Sequence, residues 1–327
     1  MLRVGIISNP FAKIIKHNPE YNTRLWYTLA NYGQLEVTRS IEQLNQVCQE
    51  FSARKINLVG IVGGDGSISL TLSAILKAYG PNNLPKILLL KGGTINFLAK
   101  NLGIKTEALT CLEDTLKLIN KKQIMNEAIL STLYVNGRIG FIFANGIATA
   151  FLEEFYKDKT NSFGAALKMA GYIADGLFKG KLNGEFPRLV KQQNMKIETA
   201  PSPIWQSIHK LHNTPDEFSL VFASTVQKLP LTSHFFKRVE LGDNFAEMIA
   251  ISEKGRKLIK GAVKAFLGGD IYNFSKVHSV KFKKAILTCN DSTLYSLDGD
   301  LLNSNDGKIN IEMGPNFVFC SPYVIAK

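Results

Sequence analysis

Apolar residues fall into short, nearly continuous runs in the first part of the chain, each followed by a stretch with helical spacing. Residues 2–8, Leu35–Thr38, Ile56–Val62 and Ile87–Leu90 read as buried strands, and Asn22–Asn31, Ser40–Arg54, Ser67–Tyr79 and Glu107–Asn120 read as helices. Ser40, with Gln43 three positions on, predicts a capped helix start. Such alternation predicts a largely parallel sheet whose ligands gather outside the carboxyl ends of the strands. The loops at Asn9, Asp65 and Thr94 therefore converge on one edge.

The pattern changes after the helix that ends near Asn120. Met125–Val135, Arg138–Phe143, Phe218–Val226, Ala246–Ser252, Val277–Cys289 and Ile309–Cys320 read as strands, and Asn136-Gly137 is a strong hairpin signal. This predicts a mostly antiparallel second unit, with Ile147–Lys157 and Ser162–Phe178 as a helical insertion spanning about 147–180. The expected division is 1–122 and 123–327. Lys191–Leu211, broken by Pro201 and Pro203, supports no assignment from its pattern.

The run Ile56–Val62 ends in Gly63-Gly64-Asp65-Gly66-Ser67. Glycine lets backbone approach a ligand closely, so a strand running through such a turn into a helix can aim several N–H groups at one phosphate. The same residues also suit an ordinary strand-to-helix turn. Asp65 weighs against that reading, because a carboxylate in an anion-binding turn calls for a metal ion or a proton-handling role.

Composition narrows the classes. In 327 residues, 45% hydrophobic and 20% charged is ordinary for a globular protein with core enough for an enzyme. No apolar run reaches a membrane span and the first residues read as a strand, so a cytoplasmic location is expected. Cys48, Cys111, Cys289 and Cys320 show neither disulfide nor zinc spacing. The net charge of +12 points to an anionic partner. In Ile251–Leu267, apolar residues recur at helical spacing opposite Lys254, Lys257, Lys260 and Lys264. That suits either a packed helix with solvated lysines or a peripheral contact with an anionic membrane. Lys281, Lys283 and Lys284 could extend the basic patch, and Lys157, Lys159, Lys168, Lys179 and Lys181 could form another. No recognised nucleic-acid module accompanies these residues, so nucleic acid is not expected as a partner.

Asn9-Pro10, then Val62-Gly63-Gly64-Asp65-Gly66-Ser67, then Gly92-Gly93-Thr94-Ile95-Asn96, and late in the chain Leu297-Asp298-Gly299-Asp300, together resemble the diacylglycerol kinase catalytic domain family, which includes sphingosine kinases and small bacterial lipid kinases. The resemblance implies a nucleotide-binding α/β domain, a lipid-substrate β-sandwich, and an active site in the cleft between them. It implies ATP and Mg²⁺ as cofactors and transfer of the γ-phosphate to a lipid hydroxyl; with the basic charge, work at the inner face of a membrane is expected. It also assigns residues. Gly63, Gly64, Asp65, Gly66 and Ser67 would lie at the ATP phosphates, with Asp65 in the water network of the metal, while Asn9, Gly93, Thr94 and Asn96 would complete the nucleotide site. Asp298 would be the catalytic carboxylate that accepts the lipid hydroxyl proton, and Asp300 would support it. Taken locally, Asp298-Gly299 is also a good hairpin turn.

Three positions depart from the family pattern. Phe97 follows Asn96 where many members have aspartate, Phe11-Ala12-Lys13 replace the small residues of the opening motif, and Asp300 is one methylene shorter than the usual glutamate. Two other readings stay open. A soluble kinase resembling NAD kinase also carries a Gly-Gly-Asp-Gly turn, and a catalytically silent lipid- or nucleotide-binding protein could keep the fold.

Overall fold

A computed structural model describes residues 2–157, 193–200, 206–207, 217–228, 235–254, 257–258, 261, 271–291 and 293–325. The first part runs β1 (Val4–Ser8), α1 (Lys13–His17), α2 (Tyr21–Leu29), β2 (Gly33–Val37), α3 (Ile41–Ala53), β3 (Leu58–Gly63), α4 (Asp65–Tyr79), β4 (Lys86–Lys91), α5 (Phe97–Asn101) and α6 (Ala108–Asn120). There follow β5 (Asn126–Leu130), β6 (Leu133–Val135), β7 (Arg138–Gly140), β8 (Ile142–Gly146), α7 (Ile147–Lys157), β9 (Gln193–Ala200), β10 (Gln206–Ser207), β11 (Glu217–Phe218), β12 (Leu220–Ser224) and β13 (Ala246–Ile251). The last strands are β14 (Val277–Phe282), β15 (Lys284–Cys289), β16 (Thr293–Leu297), β17 (Asp300–Ser304), β18 (Lys308–Met313) and β19 (Phe317–Ser321).

The first sheet has the order β2-β1-β3-β4-β19-β5. β1 to β4 are parallel and β19 lies parallel to β4, while β5 pairs antiparallel with β19. Every residue of β3 is buried, as its unbroken apolar run requires between two parallel neighbours. One face of the sheet packs through Phe51, Leu72, Ile75 and Leu89, the other through Tyr21, Leu25, Leu90 and Leu112. β5 and β19 thus join a sheet otherwise built before residue 122, so the sheet crosses the expected division.

Two antiparallel sheets, β10-β14-β13-β12-β8-β16-β17 and β11-β9-β15-β18-β6-β7, form the second unit. Phe143, Val221, Met248, Phe282, Leu287 and Ile311 fill the space between them. On the far side of the seven-stranded sheet, Ile249 and Val277 pack with Phe235, Phe236 and Leu258.

Several expected strands are broken by single residues or short links. Phe141 separates β7 from β8 and turns its ring toward Phe319, with centroids 6.3 Å apart. Lys283 similarly divides β14 from β15. β9 lies in the stretch without a sequence assignment; Met195 is buried between exposed Asn194 and Lys196, the alternation of a half-buried strand. Ser40 Oγ accepts the Gln43 N–H at 3.2 Å as expected, but the Gln43 side chain reaches the Arg39 N–H, one residue before the cap.

The basic helix expected at 251–267 needs correction at its start. Ile251 closes β13 because its hydrogen bonds go to the neighbouring strands, and Ser252–Lys254 are not helical. Lys257, Leu258 and Gly261 are helical, with Leu258 buried, and the rest lies outside the described residues. Of the expected insertion, α7 is described, and 158–180 lies outside.

Candidate active site

Helix α4 is the element on which the candidate site is built. Gly64 is its N-cap in an extended conformation, so α4 begins at Asp65, two residues before the expected start. The first N–H groups of a helix have no carbonyl partner within it, and those of α4 follow a loop whose close packing requires glycine. A Cβ on Gly93 would lie 2.5 Å from the Gly64 Cα, and one on Gly63 would lie 2.5 Å from the Ser67 Cβ. Two glycine motifs distant in sequence therefore touch backbone to backbone, held by the Gly92 N–H donating to the Gly63 carbonyl at 2.9 Å. Such a helix start suits a phosphate.

The loop residues around it are fixed by their own polar groups. Asn9 donates through Nδ2 to Ser67 Oγ at 2.8 Å and accepts the Phe11 N–H through Oδ1 at 2.8 Å. Asn96 adopts φ 49°, which asparagine tolerates better than most residues, and its side chain bonds both the N–H and the carbonyl of Gly93. Thr94 is exposed at the tip of that loop.

Asp65 is engaged more closely with its neighbours than the sequence implied. Its carboxylate accepts the Phe97 N–H at 3.2 Å and the Leu98 N–H at 3.3 Å, and so closes the start of α5. Burial pushes its proton affinity up, and these backbone donors oppose that. Phe97, at the position where many members of the resembled family have aspartate, is buried in the core beside Leu98.

Asp298 and Gly299 form the two-residue turn between β16 and β17, with φ values of 53° and 97° and Leu297 paired with Asp300. Positive φ at both positions is the type I′ geometry of tight hairpins. The hairpin reading and a chemical role are thus compatible, because the turn aims the Asp298 side chain inward. Its Oδ1 accepts the Phe141 N–H at 3.0 Å and the Ile142 N–H at 2.8 Å, while its Oδ2 accepts the hydroxyl of Ser69 on α4. Burial raises the Asp298 carboxyl to about 7, against the lowering effect of Ser69 and the two backbone donors.

Asp300, at the other end of the turn, faces the glycine loop. A Cβ on Gly66 would meet its Oδ1 at 3.2 Å, and its Oδ2 pairs with Arg138 Nη2 at 3.0 Å. The Gly66 turn, Asp298 and Asp300 therefore meet around the first two turns of α4, which packs on β7 and the Phe141 that follows it through Ile68, Leu72 and Ile139.

Ser69 and Arg138 were not found from sequence. Asp65, Ser69 and Ser73 recur every four residues and so share one face of α4, and that stripe was a usable signal. Ser73 also uses it, accepting the Ile139 N–H at 3.0 Å. Arg138 carried no comparable signal.

Among the described residues no group of three His, Cys, Asp or Glu side chains could hold a metal by itself. Magnesium is commonly held by one or two carboxylates plus substrate phosphates, so Asp65 beside a phosphate-binding turn fits that chemistry.

Residues 3–127 match the family model described as the diacylglycerol kinase catalytic domain. No curated protein matches the chain by sequence. Among solved structures, a diacylglycerol kinase from Bacillus anthracis str. Sterne is 17% identical, with TM-score 0.65 and coverage of 98% of this chain and 96% of that one. Another from the same source, named a candidate diacylglycerol kinase, is 19% identical, with TM-score 0.69 and the same coverages of 98% and 96%. The chain resembles the diacylglycerol kinase catalytic domain family over residues 3–127, and over nearly its whole length it shares the fold of these structures.

Proposed function

We propose that this protein is an ATP-dependent lipid kinase that transfers the γ-phosphate of ATP to a lipid hydroxyl, with a diacylglycerol-like acceptor. The observation that carries the reading is the meeting, around α4, of a glycine turn suited to phosphate with the inward-facing carboxylate of Asp298. Phosphoryl transfer needs little else from a protein beyond positioning and charge stabilisation.

In this mechanism the N–H groups at the start of α4 bind the nucleotide phosphates, and the Asn9–Ser67 and Asn96–Gly93 contacts keep the loops in shape. Magnesium, when bound, neutralises charge on the phosphates, and Asp65 would hold it through water. Asp298 accepts the acceptor hydroxyl proton as that oxygen attacks the γ-phosphorus, a role suited to a carboxyl near 7. Asp300, restrained by Arg138, steadies the turn that carries Asp298.

Peripheral work at an anionic membrane is part of the proposal, supported by the net charge of +12. The patch supporting it is only partly free. Lys281 pairs with Asp243 and Lys284 with Glu312, while Lys283 lies 4.9 Å from the centre of the Phe245 ring.

The test is transfer of labelled γ-phosphate from Mg-ATP into mixed micelles of diacylglycerol, monoacylglycerol or sphingosine, with Asp298→Asn as control. Label in one lipid that disappears in the variant supports the reading. Label in NAD and in no lipid would replace it with a soluble nucleotide kinase. No transfer at all would favour the silent binder.

A further inference from the structure

We propose that Ser69 is a positioning residue for Asp298: its hydroxyl orients the carboxylate and holds it in the ionised, proton-accepting form. The inference rests on Asp298 being the base.

The backbone already fixes where the Asp298 residue sits. Its N–H donates to the Ile142 carbonyl at 2.9 Å, and Oδ1 takes the Ile142 and Phe141 N–H groups. Oδ2 has a different partner. Its shorter contact is the hydroxyl of Ser69, with the Phe141 N–H at 3.2 Å. Ser69 is 3% exposed and comes from α4, the same helix whose start forms the glycine turn. One rigid element therefore carries both the candidate phosphate site and the side-chain donor that orients the candidate base. A one-turn shift of α4 would move both.

A donated hydroxyl hydrogen favours the carboxylate over the neutral acid, because a hydrogen bond to an ionised acceptor is the stronger of the two. Unlike the backbone donors, Ser69 can also turn about its C–O bond. In the reaction the acceptor O–H bond breaks and its proton passes to Asp298. The freed electron pair forms the bond to the γ-phosphorus, and the phosphorus–oxygen bond to ADP breaks with its pair. The Ser69 hydroxyl can then rotate to accept from the new carboxylic acid. Of the ionisable groups on the neighbouring elements, Asp65 on α4 opposes its ionisation, while Arg138 on β7 and Asp300 on β17 are paired with each other.

The test has one readout independent of turnover. Carbon-13 NMR of the aspartate carboxyls, assigned by loss of one signal in Asp298→Asn, follows the Asp298 titration in the full-length protein. Ser69→Ala should raise its midpoint by about one pH unit or more, and Ser69→Thr should restore it. With diacylglycerol in micelles, the acid limb of kcat should move by the same amount while KM for ATP stays put. An unmoved midpoint, or a uniform fall in kcat with the limb in place, would overturn the proposal. Should Ser69→Ala not fold, Ser69→Cys, a weaker donor of similar size, must give an intermediate shift, and no shift there overturns it equally. Failure of the base assignment has a separate mark, namely full turnover in Asp298→Asn.

Discussion

Ser69 and Asp298 stand 229 positions apart in the chain and are joined by a hydroxyl–carboxylate hydrogen bond. Through that bond the first helix after the glycine turn touches a hairpin made near the end of the chain.

The pH dependence of stability follows from this carboxyl. Folded Asp298 titrates near 7 because of burial, above its ordinary value of 3.8, so between those values the folded state holds a proton that the unfolded state has lost. Stability should therefore fall as pH rises from about 4 to about 7, by up to about 1.4 kcal/mol per unit from this group. Asp298→Asn should flatten that slope, as chemical denaturation at several pH values would show. Turnover, in contrast, should rise through the same range, because the base must be ionised.

Gly93→Ala tests the contact of the two glycine motifs. Its Cβ would sit 2.5 Å from the Gly64 Cα, and no rotamer change relieves a backbone clash. The loops should part, with a loss of about 1–3 kcal/mol in stability. Mg-ATP affinity measured by calorimetry should drop at least about tenfold.

Asp300→Asn should separate stability from chemistry. The Asp300 and Arg138 side chains keep 42% and 28% of their surface, so the pair contributes under about 1 kcal/mol to folding. A melt should barely change, whereas kcat should fall by about tenfold or more if the turn bearing Asp298 loosens.

Phe51 and Gly5 test the packing beneath the sheet. Phe51→Ala removes a side chain 1% exposed and should cost about 3–5 kcal/mol. Gly5→Ala would drive a Cβ to 2.4 Å from the Phe51 ring and should also destabilise. In the double variant the new methyl enters the space vacated by the ring, so urea denaturation should give a total smaller than the sum of the single effects.

How much of this was legible depended on locality. β3, with its buried apolar run and glycine exit, announced itself, as did the Ser40 cap, because both are set by neighbours in sequence. Asp298-Gly299 was readable as a turn, and only its order among the motifs suggested chemistry. What brings Ser69 to that carboxylate is the packing of α4 on β7, a contact no local pattern encodes. β9 was missed because its alternation is diluted by polar residues, and the start of the basic helix was misplaced because Ile251 serves a strand as readily as a helix. The place of β19 could not be read, since a buried apolar run does not say which sheet receives it.

That last strand changes how the protein can come into being. β19 fills the gap between β4 and β5, so the first sheet stays unfinished until the ribosome has made residues 317–321. During synthesis β4 keeps a bare apolar edge, which invites pairing with other chains. The nascent chain must hold that edge safe through the synthesis of some two hundred further residues, and only then does a five-residue strand close it.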